Sequence, residues 1–135
     1  MKLVVAAIAF LLGAFALSTW WALESSGVAV IETRAADGSP RSTHVWFAEP
    51  EGELWLEAGT PTNPWYQDIL LEPTLVFSST NRSGHFTAEP VEAADGHEEI
   101  RSLLREKYGL RDAWVGLLVD TSGSLAVRLT LREAE

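Results

Sequence analysis

The feature that most constrains this chain is an uncharged segment close to its N-terminus. Residues 3–23 form 21 consecutive positions without a charged side chain. As a helix, such a segment spans roughly 30 Å, because each residue adds about 1.5 Å, and this matches the hydrocarbon core of a bilayer. Trp20 and Trp21 stand near its far end, where indole rings favour the membrane interface. The segment therefore predicts an N-terminal transmembrane helix.

Two other interpretations of this segment stay open. A cleaved signal peptide has a shorter apolar core and a small-x-small cleavage site. The nearest candidate for such a site is Ala16-Leu17-Ser18, and the apolar run continues beyond it. The segment can also be a buried helix of a soluble protein. We expect a retained membrane anchor at residues 1–23 and a single globular domain at residues 24–135.

The charge next to the anchor gives an expected orientation. Lys2 precedes the apolar segment, and the positive-inside rule places such a lysine in the cytoplasm. We therefore expect a single-pass, membrane-anchored protein whose globular domain is extracytoplasmic. The alternative is a helix that lies in or on the membrane with the domain in the cytoplasm.

The composition of the rest of the chain excludes several classes of function. The chain has 10 Lys+Arg and 19 Asp+Glu, and without Lys2 the remainder carries a net charge of −10. This acidity argues against nucleic acid as a partner, because phosphate backbones need a basic surface. It also means that the helix, and not charge, would hold the domain at an anionic membrane. The chain has no cysteine, which excludes disulfides, thiolate metal sites and cysteine nucleophiles.

The patterning of residues 24–135 predicts six short strands and two or three helices. Alternating or β-branched runs indicate strands, and the 3.6-residue spacing of apolar residues indicates helices. Asn63 before Pro64 predicts a helix start, and Asp95 with Glu98 resembles a capping box. Gly109 is expected to end the second helix. The predicted strands are 28–33, 42–48, 53–58, 74–80, 85–92 and 125–131, and the predicted helices are 65–71 and 97–108. Residues 111–119 are ambiguous: their apolar spacing favours a helix, whereas the run VGLLV also suits a strand.

Short antiparallel strands of this kind predict an α+β fold built on a small barrel or curled sheet. The first three strands are expected to form a meander. Pro90 within the fifth strand indicates a sheet edge or a bulge, because proline cannot donate to a ladder.

Three stretches then resemble a known family. They are DGSPRST followed by VWF (37–47), PWYQDI running to EP (64–73), and KYGL, WVGLL and VRL (107–129). Their order is similar to that of the split β-barrel flavin-binding superfamily, which includes pyridoxamine-phosphate-oxidase-like proteins. Within it they look most like the deazaflavin-dependent nitroreductase-like branch. The resemblance implies a small split antiparallel β-barrel with two or three flanking helices, here preceded by the N-terminal transmembrane helix.

The same stretches contain the candidate cofactor-binding residues. Arg41, Ser42 and Thr43 offer a guanidinium and two hydroxyls after a turn, which suits a phosphate group. Trp65 and Tyr66 offer aromatic faces at a helix N-terminus. The resemblance implies FMN or a deazaflavin as the cofactor, a homodimer, and an oxidoreductase that reduces a lipophilic acceptor such as a quinone or a nitro compound. No catalytic side chain is identified.

The chain departs from the family pattern at several positions. Ala35 and Ala36 replace the arginine and lysine common in that branch, Asp37 adds a negative charge, and Asp68 and Glu72 stand where asparagines are usual. A second hypothesis follows, namely a cofactor-free binding or interaction module that has kept the fold.

Simpler roles exist for the candidate residues too. In them Arg41 is an ordinary surface residue, Ser42 and Thr43 are ordinary strand-entry residues, and Trp65 and Tyr66 close one end of the barrel. The three histidines (His44, His85 and His97) fall on different predicted elements, so we expect no metal site.

Overall fold

Six antiparallel strands form one closed barrel in the computed structural model, which describes residues 1–24, 27–91 and 93–133. Around the barrel the strands follow the order β1-β2-β3-β6-β5-β4, and β4 closes against β1. This confirms the α+β barrel, and the meander of the first three strands is present. The strands are β1 (Val28–Arg34), β2 (Pro40–Ala48), β3 (Leu54–Ala58), β4 (Thr74–Ser78), β5 (Ser83–Val91) and β6 (Leu125–Leu131).

The interior of the barrel is filled by the alternate residues of each strand. In β3, Leu54, Leu56 and Ala58 are buried while Trp55 and Glu57 between them are less so, as the period of two in a strand requires. At the centre, the ring of Phe77 meets the rings of Phe47 and Phe86 edge-on, with centroids 5.2 and 5.9 Å apart. These aromatic contacts form the middle of a single apolar core.

In the described part of the chain four α-helices accompany the barrel, and three of them position the candidate site. The helix α2 begins at Pro64 directly after Asn63 and packs against β1. The helix α3 packs across the outer face of β2, β3 and β6, where Ile100, Leu104 and Tyr108 are buried. The helices are α1 (Lys2–Glu24), α2 (Pro64–Leu71), α3 (Ala93–Tyr108) and α4 (Leu110–Leu118).

The apolar N-terminal segment forms one continuous helix. Its part from Lys2 to Trp21 is long and apolar enough to cross a membrane, although a signal sequence or a core helix would meet the same criterion. None of the most apolar part of this segment is buried inside the structure. Near its end, α1 packs on α4, with the rings of Phe15 and Trp114 5.9 Å apart. The remainder of α1 extends away from the barrel with exposed apolar side chains.

Several predicted boundaries need correction. The strand β2 begins at Pro40 and not at residue 42, because Pro40 pairs with Arg34 across a tight turn that contains Gly38. The strand β4 ends at Ser78, before a turn in which the amide of Ser79 donates to the carbonyl of Arg82. The predicted end of β5 at Glu92 lies outside the described residues.

The predicted helix starts were also partly wrong. The helix α3 begins at Ala93, so Asp95 lies in its first turn and is not the cap; an acidic residue there still interacts favourably with the helix dipole. Asn63 does precede Pro64, but its side chain makes no capping hydrogen bond. Gly109 separates α3 from α4 with a φ of 52°. The segment predicted at 111–119 is helical, as α4 shows.

Candidate functional site

The guanidinium of Arg41 is already paired within the chain. Its Nε donates to Oδ2 of Asp68 over 2.7 Å, and the hydroxyl of Thr33 donates to the same oxygen over 2.7 Å. The carboxylate of Asp68 is buried, whereas the side chain of Arg41 is partly exposed. The helix α2 thus brings a carboxylate to the arginine that the sequence assigned to a phosphate.

A second carboxylate, directly after the end of α2, contacts another arginine of the hairpin. Glu72, four residues after Asp68, lies 3.6 Å from Nε of Arg34, and both of these side chains are exposed. Nη1 of Arg34 also donates to the carbonyl of Gly38 in the β1–β2 turn. Two of the positions at which the sequence departs from the resemblance, Asp68 and Glu72, therefore contact arginines of the β1–β2 hairpin.

The two aromatic candidates lie in the barrel core. Trp65 is 1% exposed and Tyr66 is 9% exposed, and both pack with the interior side chains. Their rings meet edge-on, with centroids 6.2 Å apart. Both rings therefore belong to the barrel core, and their role toward a cofactor stays a prediction. Trp65 nevertheless contributes to the wall of a cleft outside the barrel.

Strand alternation separates the three consecutive candidates on β2. Arg41 and Thr43 share the face of the buried Val45, whereas Ser42 lies on the opposite face and is exposed. Only Thr43 of these three lines the cleft that also includes Trp65. The fold therefore brings Thr43 and Trp65 together, and leaves Ser42 away from them.

This cleft lies between the barrel and α4 and has a volume of about 260 Å³. Its wall surface is mainly apolar, with Trp46 and Trp65 on one side and Val115 and Val119 on the other. Polar and charged side chains make up about half of the lining residues, among them Thr43, His44, Asn63 and Asp120. Apolar and aromatic walls with polar groups placed between them are typical of small-molecule sites.

A charged cluster forms part of the cleft wall. Nη1 of Arg101 donates to both carboxylate oxygens of Glu57, at 2.9 and 3.0 Å, and Nη2 pairs with the carboxylate of Asp112. All three side chains are largely buried. The mutual attraction of these charges raises the pKa of Arg101 despite its burial, which alone would lower it. Because Asp112 belongs to α4, the cluster holds this helix to α3 and β3.

An indole next to the cleft has an unsatisfied donor. Nε1 of Trp46 is buried and finds no hydrogen-bond acceptor among the residues described. The ring of Trp46 stacks on Tyr108 at 4.2 Å between centroids. Buried N–H groups are nearly always paired, so an unsatisfied one on a residue that lines a cleft is a candidate contact for a bound molecule.

The C-terminal end of α3 ties the start of β1 to β2. The hydroxyl of Tyr108 donates to the carbonyl of Gly27 over 2.6 Å, and Nζ of Lys107 donates to the carbonyl of Phe47 over 2.8 Å. The ammonium of Lys107 also lies 3.1 Å from the centroid of the Phe47 ring. Burial lowers the pKa of Lys107 to about 8 and raises that of Tyr108 to about 12.

Sequence reasoning missed most of the cleft. Arg101, Trp46 and Val119 line it from three different elements, and no local motif joins them. One signal was present in the sequence. Arg101 and Asp112 are charged residues in predicted helices that also have an apolar face, and a charged side chain that is buried on such a face usually has an ion-pair or hydrogen-bond partner. Among the described residues, no group of three His, Asp or Glu side chains is arranged to hold a metal ion.

Comparison with known proteins identifies the architecture. No protein-family model matches the sequence, and no curated protein is significantly similar to it. Solved structures do match. A candidate pyridoxamine 5'-phosphate oxidase from Listeria innocua aligns with a TM-score of 0.59 and 14% identity, over 83% of this chain and 89% of that one. The fold is a split β-barrel.

Two further split barrels show how varied the proteins with this fold are. An F420-H2-dependent reductase aligns with a TM-score of 0.56 and 18% identity, covering 77% of this chain and 94% of that one. HutZ, a heme storage protein from Vibrio cholerae, aligns with a TM-score of 0.59 and 12% identity, covering 84% and 87%. At these identities the shared property is the fold, and an activity has to come from the site itself.

Proposed function

We propose that this chain is a membrane-anchored oxidoreductase that uses a flavin or deazaflavin and reduces a lipophilic acceptor such as a quinone or a nitro compound. Residues 1–23 serve as the anchor and residues 24–135 as the catalytic domain. The observation that carries the proposal is the cleft between the barrel and α4, with its aromatic and apolar walls and the unsatisfied indole N–H of Trp46 beside it.

The cleft suits the ring system of such a cofactor. The tricyclic ring of a flavin is planar, with a largely apolar benzenoid end and a polar end that has several hydrogen-bond acceptors. The faces and the apolar end match walls made by Trp46, Trp65 and Val119, and the polar end can accept from an N–H donor. The cofactor supplies the redox chemistry when bound, while the protein orients the ring and excludes water. This division explains why no catalytic acid or base is needed among the lining residues.

The residues do not fit the phosphate end of the cofactor in the same way. Arg41 and Arg34, the two arginines of the β1–β2 hairpin, each lie against a carboxylate of α2 or its end. A phosphate at this hairpin would meet Asp68 and Glu72 before a free cation. We therefore propose that the ring provides most of the affinity, and that the hairpin adds little.

A homodimer is part of this proposal. The volume of about 260 Å³ is slightly below the range of about 300–1,000 Å³ that is usual for small-molecule sites. A second copy that packs beside the cleft would complete its wall. The cleft within a single chain would then make up half of the complete site.

The second candidate function is a cofactor-free module that binds a lipophilic ligand or a partner. The observation in its favour is the Arg41–Asp68 pair, because an internal carboxylate occupies the arginine where the resemblance implies a phosphate contact. In this alternative the cleft holds an uncharged ligand and no electrons are transferred.

A binding titration separates the two candidates. The full chain, in detergent, is titrated with FMN, with a deazaflavin and with lumiflavin, which has the flavin ring without the phosphate-bearing chain. Saturable binding of the ring compounds near micromolar concentration supports the oxidoreductase. Absence of binding for all three supports the cofactor-free module.

A pair of glycine variants localises any binding to the cleft. Gly59 lines the cleft, and a Cβ added there meets no atom within 4 Å, so Gly59→Leu introduces a bulky side chain at the cleft wall from an open position. Gly123 is equally open and is not part of the cleft lining, so Gly123→Leu is the matched control. Binding in the cleft is weakened by the first substitution and kept by the second.

A further inference from the structure

The helix α4 has an apolar outer face that no described residue covers. Leu110 is 82% exposed and Leu117 is 81% exposed, and Leu118 and Val119 are also exposed. The acidic residue of this helix, Asp112, is turned inward to Arg101. The outer side of α4 therefore has no acidic residue in a domain that is otherwise strongly acidic, and the next carboxylate along the chain is the exposed Asp120.

The contacts between α4 and α1 determine how deep the outer face of α4 would lie in a bilayer that α1 spans. Besides the contact between Phe15 and Trp114, Nε1 of Trp114 donates to the hydroxyl of Thr19 over 3.4 Å. The guanidinium of Arg111 lies 5.7 Å from the ring centroid of Trp21. The helix α4 thus packs on the last two turns of the segment from Lys2 to Trp21 that is long enough to cross a membrane.

These contacts put α4 at the membrane boundary if α1 spans the bilayer. From Phe15 to Trp21 the helix rises only about 9 Å, whereas the whole span covers roughly 30 Å. An element that packs against that last part lies at the level of the headgroups and the first acyl carbons. Exposed leucines, an indole and an arginine are the residue types that favour this layer.

The joint between α1 and the barrel fixes the direction in which α4 faces. Within the domain, Gly27 accepts hydrogen bonds from Tyr108 and Lys107 at the end of α3, and α3 packs on the barrel and leads directly into α4. Because α4 in turn packs on α1 through Phe15, Thr19 and Trp114, these contacts set the orientation of the barrel relative to the anchor. The same face of the domain would meet the bilayer in every molecule.

We propose that α4 is an interfacial helix that inserts Leu117 and Leu118 into the lipid and places the cleft at the bilayer surface. Val115 and Val119 of this region form one wall of the cleft. A lipophilic acceptor dissolved in the bilayer would therefore reach the cleft along α4 without crossing water. This inference rests on the proposed function, since it takes α1 to be a membrane anchor and the acceptor to be lipophilic.

Spin labels at single cysteines test the proposal, because the chain has no native cysteine. The full chain is reconstituted into phosphatidylcholine vesicles with a nitroxide at Leu117→Cys, at Leu71→Cys or at Leu12→Cys. Leu71, on α2, is the matched control because it is also a highly exposed leucine, at 70%. Leu12 lies in the middle of α1 and reports whether the anchor spans the bilayer. All three positions are exposed, so the label displaces no core residue.

The readout is the ratio of accessibility to oxygen, which concentrates in lipid, over accessibility to a water-soluble nickel chelate. We expect this ratio to be several-fold higher for the label at position 117 than for the label at position 71, and higher still at position 12. A lipid-like ratio at 12 with a water-like ratio at 117 would overturn the interfacial helix and leave the anchor in place. A water-like ratio at 12 would overturn the anchor and the inference with it.

A second copy of the chain is the competing occupant of this face. In that case the label at position 117 would be shielded from both reagents, and labels on two chains would broaden each other's spectra. This outcome would also overturn the inference, since α4 would be a dimer interface and not a membrane surface.

Discussion

Oδ2 of Asp68 accepts two hydrogen bonds of 2.7 Å, one from Nε of Arg41 and one from the hydroxyl of Thr33. A single buried oxygen thus joins α2 to both strands of the β1–β2 hairpin. The contact ties α2, which carries the buried Trp65 and Tyr66, to the hairpin, and it also pairs the cation that the resemblance implies for a phosphate. Under the proposed function, both the packing of α2 and the preference for a ligand therefore depend on the same carboxylate.

Removal of this charge should create a phosphate site. In Asp68→Asn the guanidinium of Arg41 loses its ionic partner and becomes available to the phosphate of FMN. A charge-assisted hydrogen bond is worth roughly 1.5–3 kcal/mol, so we expect an affinity gain for FMN of at least about tenfold. Lumiflavin, which has no phosphate, should bind as before. Titration by flavin fluorescence measures both.

The control for this experiment is Glu89→Gln. Glu89 pairs with Arg128 on the β5–β6 part of the barrel, so the substitution makes the same change in net charge away from the hairpin. Equal FMN affinities for the two variants would mean that overall charge, and not the release of Arg41, controls binding.

The cluster around Arg101 should be costly to disrupt from its centre. In Arg101→Met two largely buried carboxylates, those of Glu57 and Asp112, lose their cation. Loss of one partner from a buried ion pair typically costs about 3–5 kcal/mol, and we expect a loss of this order in the free energy of unfolding. Arg128→Met, at an exposed pair, should cost far less, because solvent screens the attraction between exposed charges. Denaturant unfolding of both variants makes the comparison, and equal losses would contradict the account.

The sequence predicts a structural feature well when the residues that form the feature are close to one another in the chain. The alternation of Leu54, Trp55 and Leu56 predicts β3 correctly, because strand periodicity is a property of neighbouring residues. The Arg41–Asp68 pair joins residues 27 positions apart. Asp68 is visible in the sequence as a departure from the family pattern, but its partner depends on how α2 packs against β1.

The aromatic candidates show the same limit. Trp65 and Tyr66 stand at a helix start, and from the sequence this position is compatible with binding a cofactor and with filling the barrel core. Their burial results from the packing of α2, which the sequence does not reveal. The cleft itself needs β2, α3 and α4 together. No segment of the sequence contains enough of its wall to reveal it.

Trp46 should contribute to ligand binding through its indole N–H. In Trp46→Phe no protein hydrogen bond is lost among the described residues, since its Nε1 has no acceptor there. The smaller ring keeps only part of the stack on Tyr108, so we expect a moderate loss in the free energy of unfolding. Affinity for lumiflavin should fall about two- to tenfold, because a neutral hydrogen bond contributes roughly 0.5–1.5 kcal/mol. Unchanged affinity would place the ring away from this indole.

Stability should rise with pH between about 8 and 10. The pKa of Lys107 is about 8 in the folded chain and 10.5 in the unfolded one, so the unfolded state binds more protons in this interval and stability increases with pH. Above pH 10 the sign reverses. The pKa of Tyr108 is raised from 10.0 to about 12, so the unfolded state loses its proton first and stability falls.

Thermal unfolding of the full chain in detergent measures this profile. Lys107→Met has no titrating group at this position and should lose the rise between pH 8 and 10, while the fall above pH 10 stays. A rise that persists in Lys107→Met would show that another group causes it.

The most direct test of the oxidoreductase is turnover with a lipophilic quinone. The full chain in phosphatidylcholine vesicles is supplied with reduced FMN or reduced deazaflavin in the absence of oxygen, and oxidation of the cofactor is followed after a naphthoquinone is added. The account predicts a protein-dependent rate that saturates with cofactor, is lost in Gly59→Leu and is kept in Gly123→Leu. A rate no higher than that of vesicles without protein, or one that is equal in both variants, would contradict it.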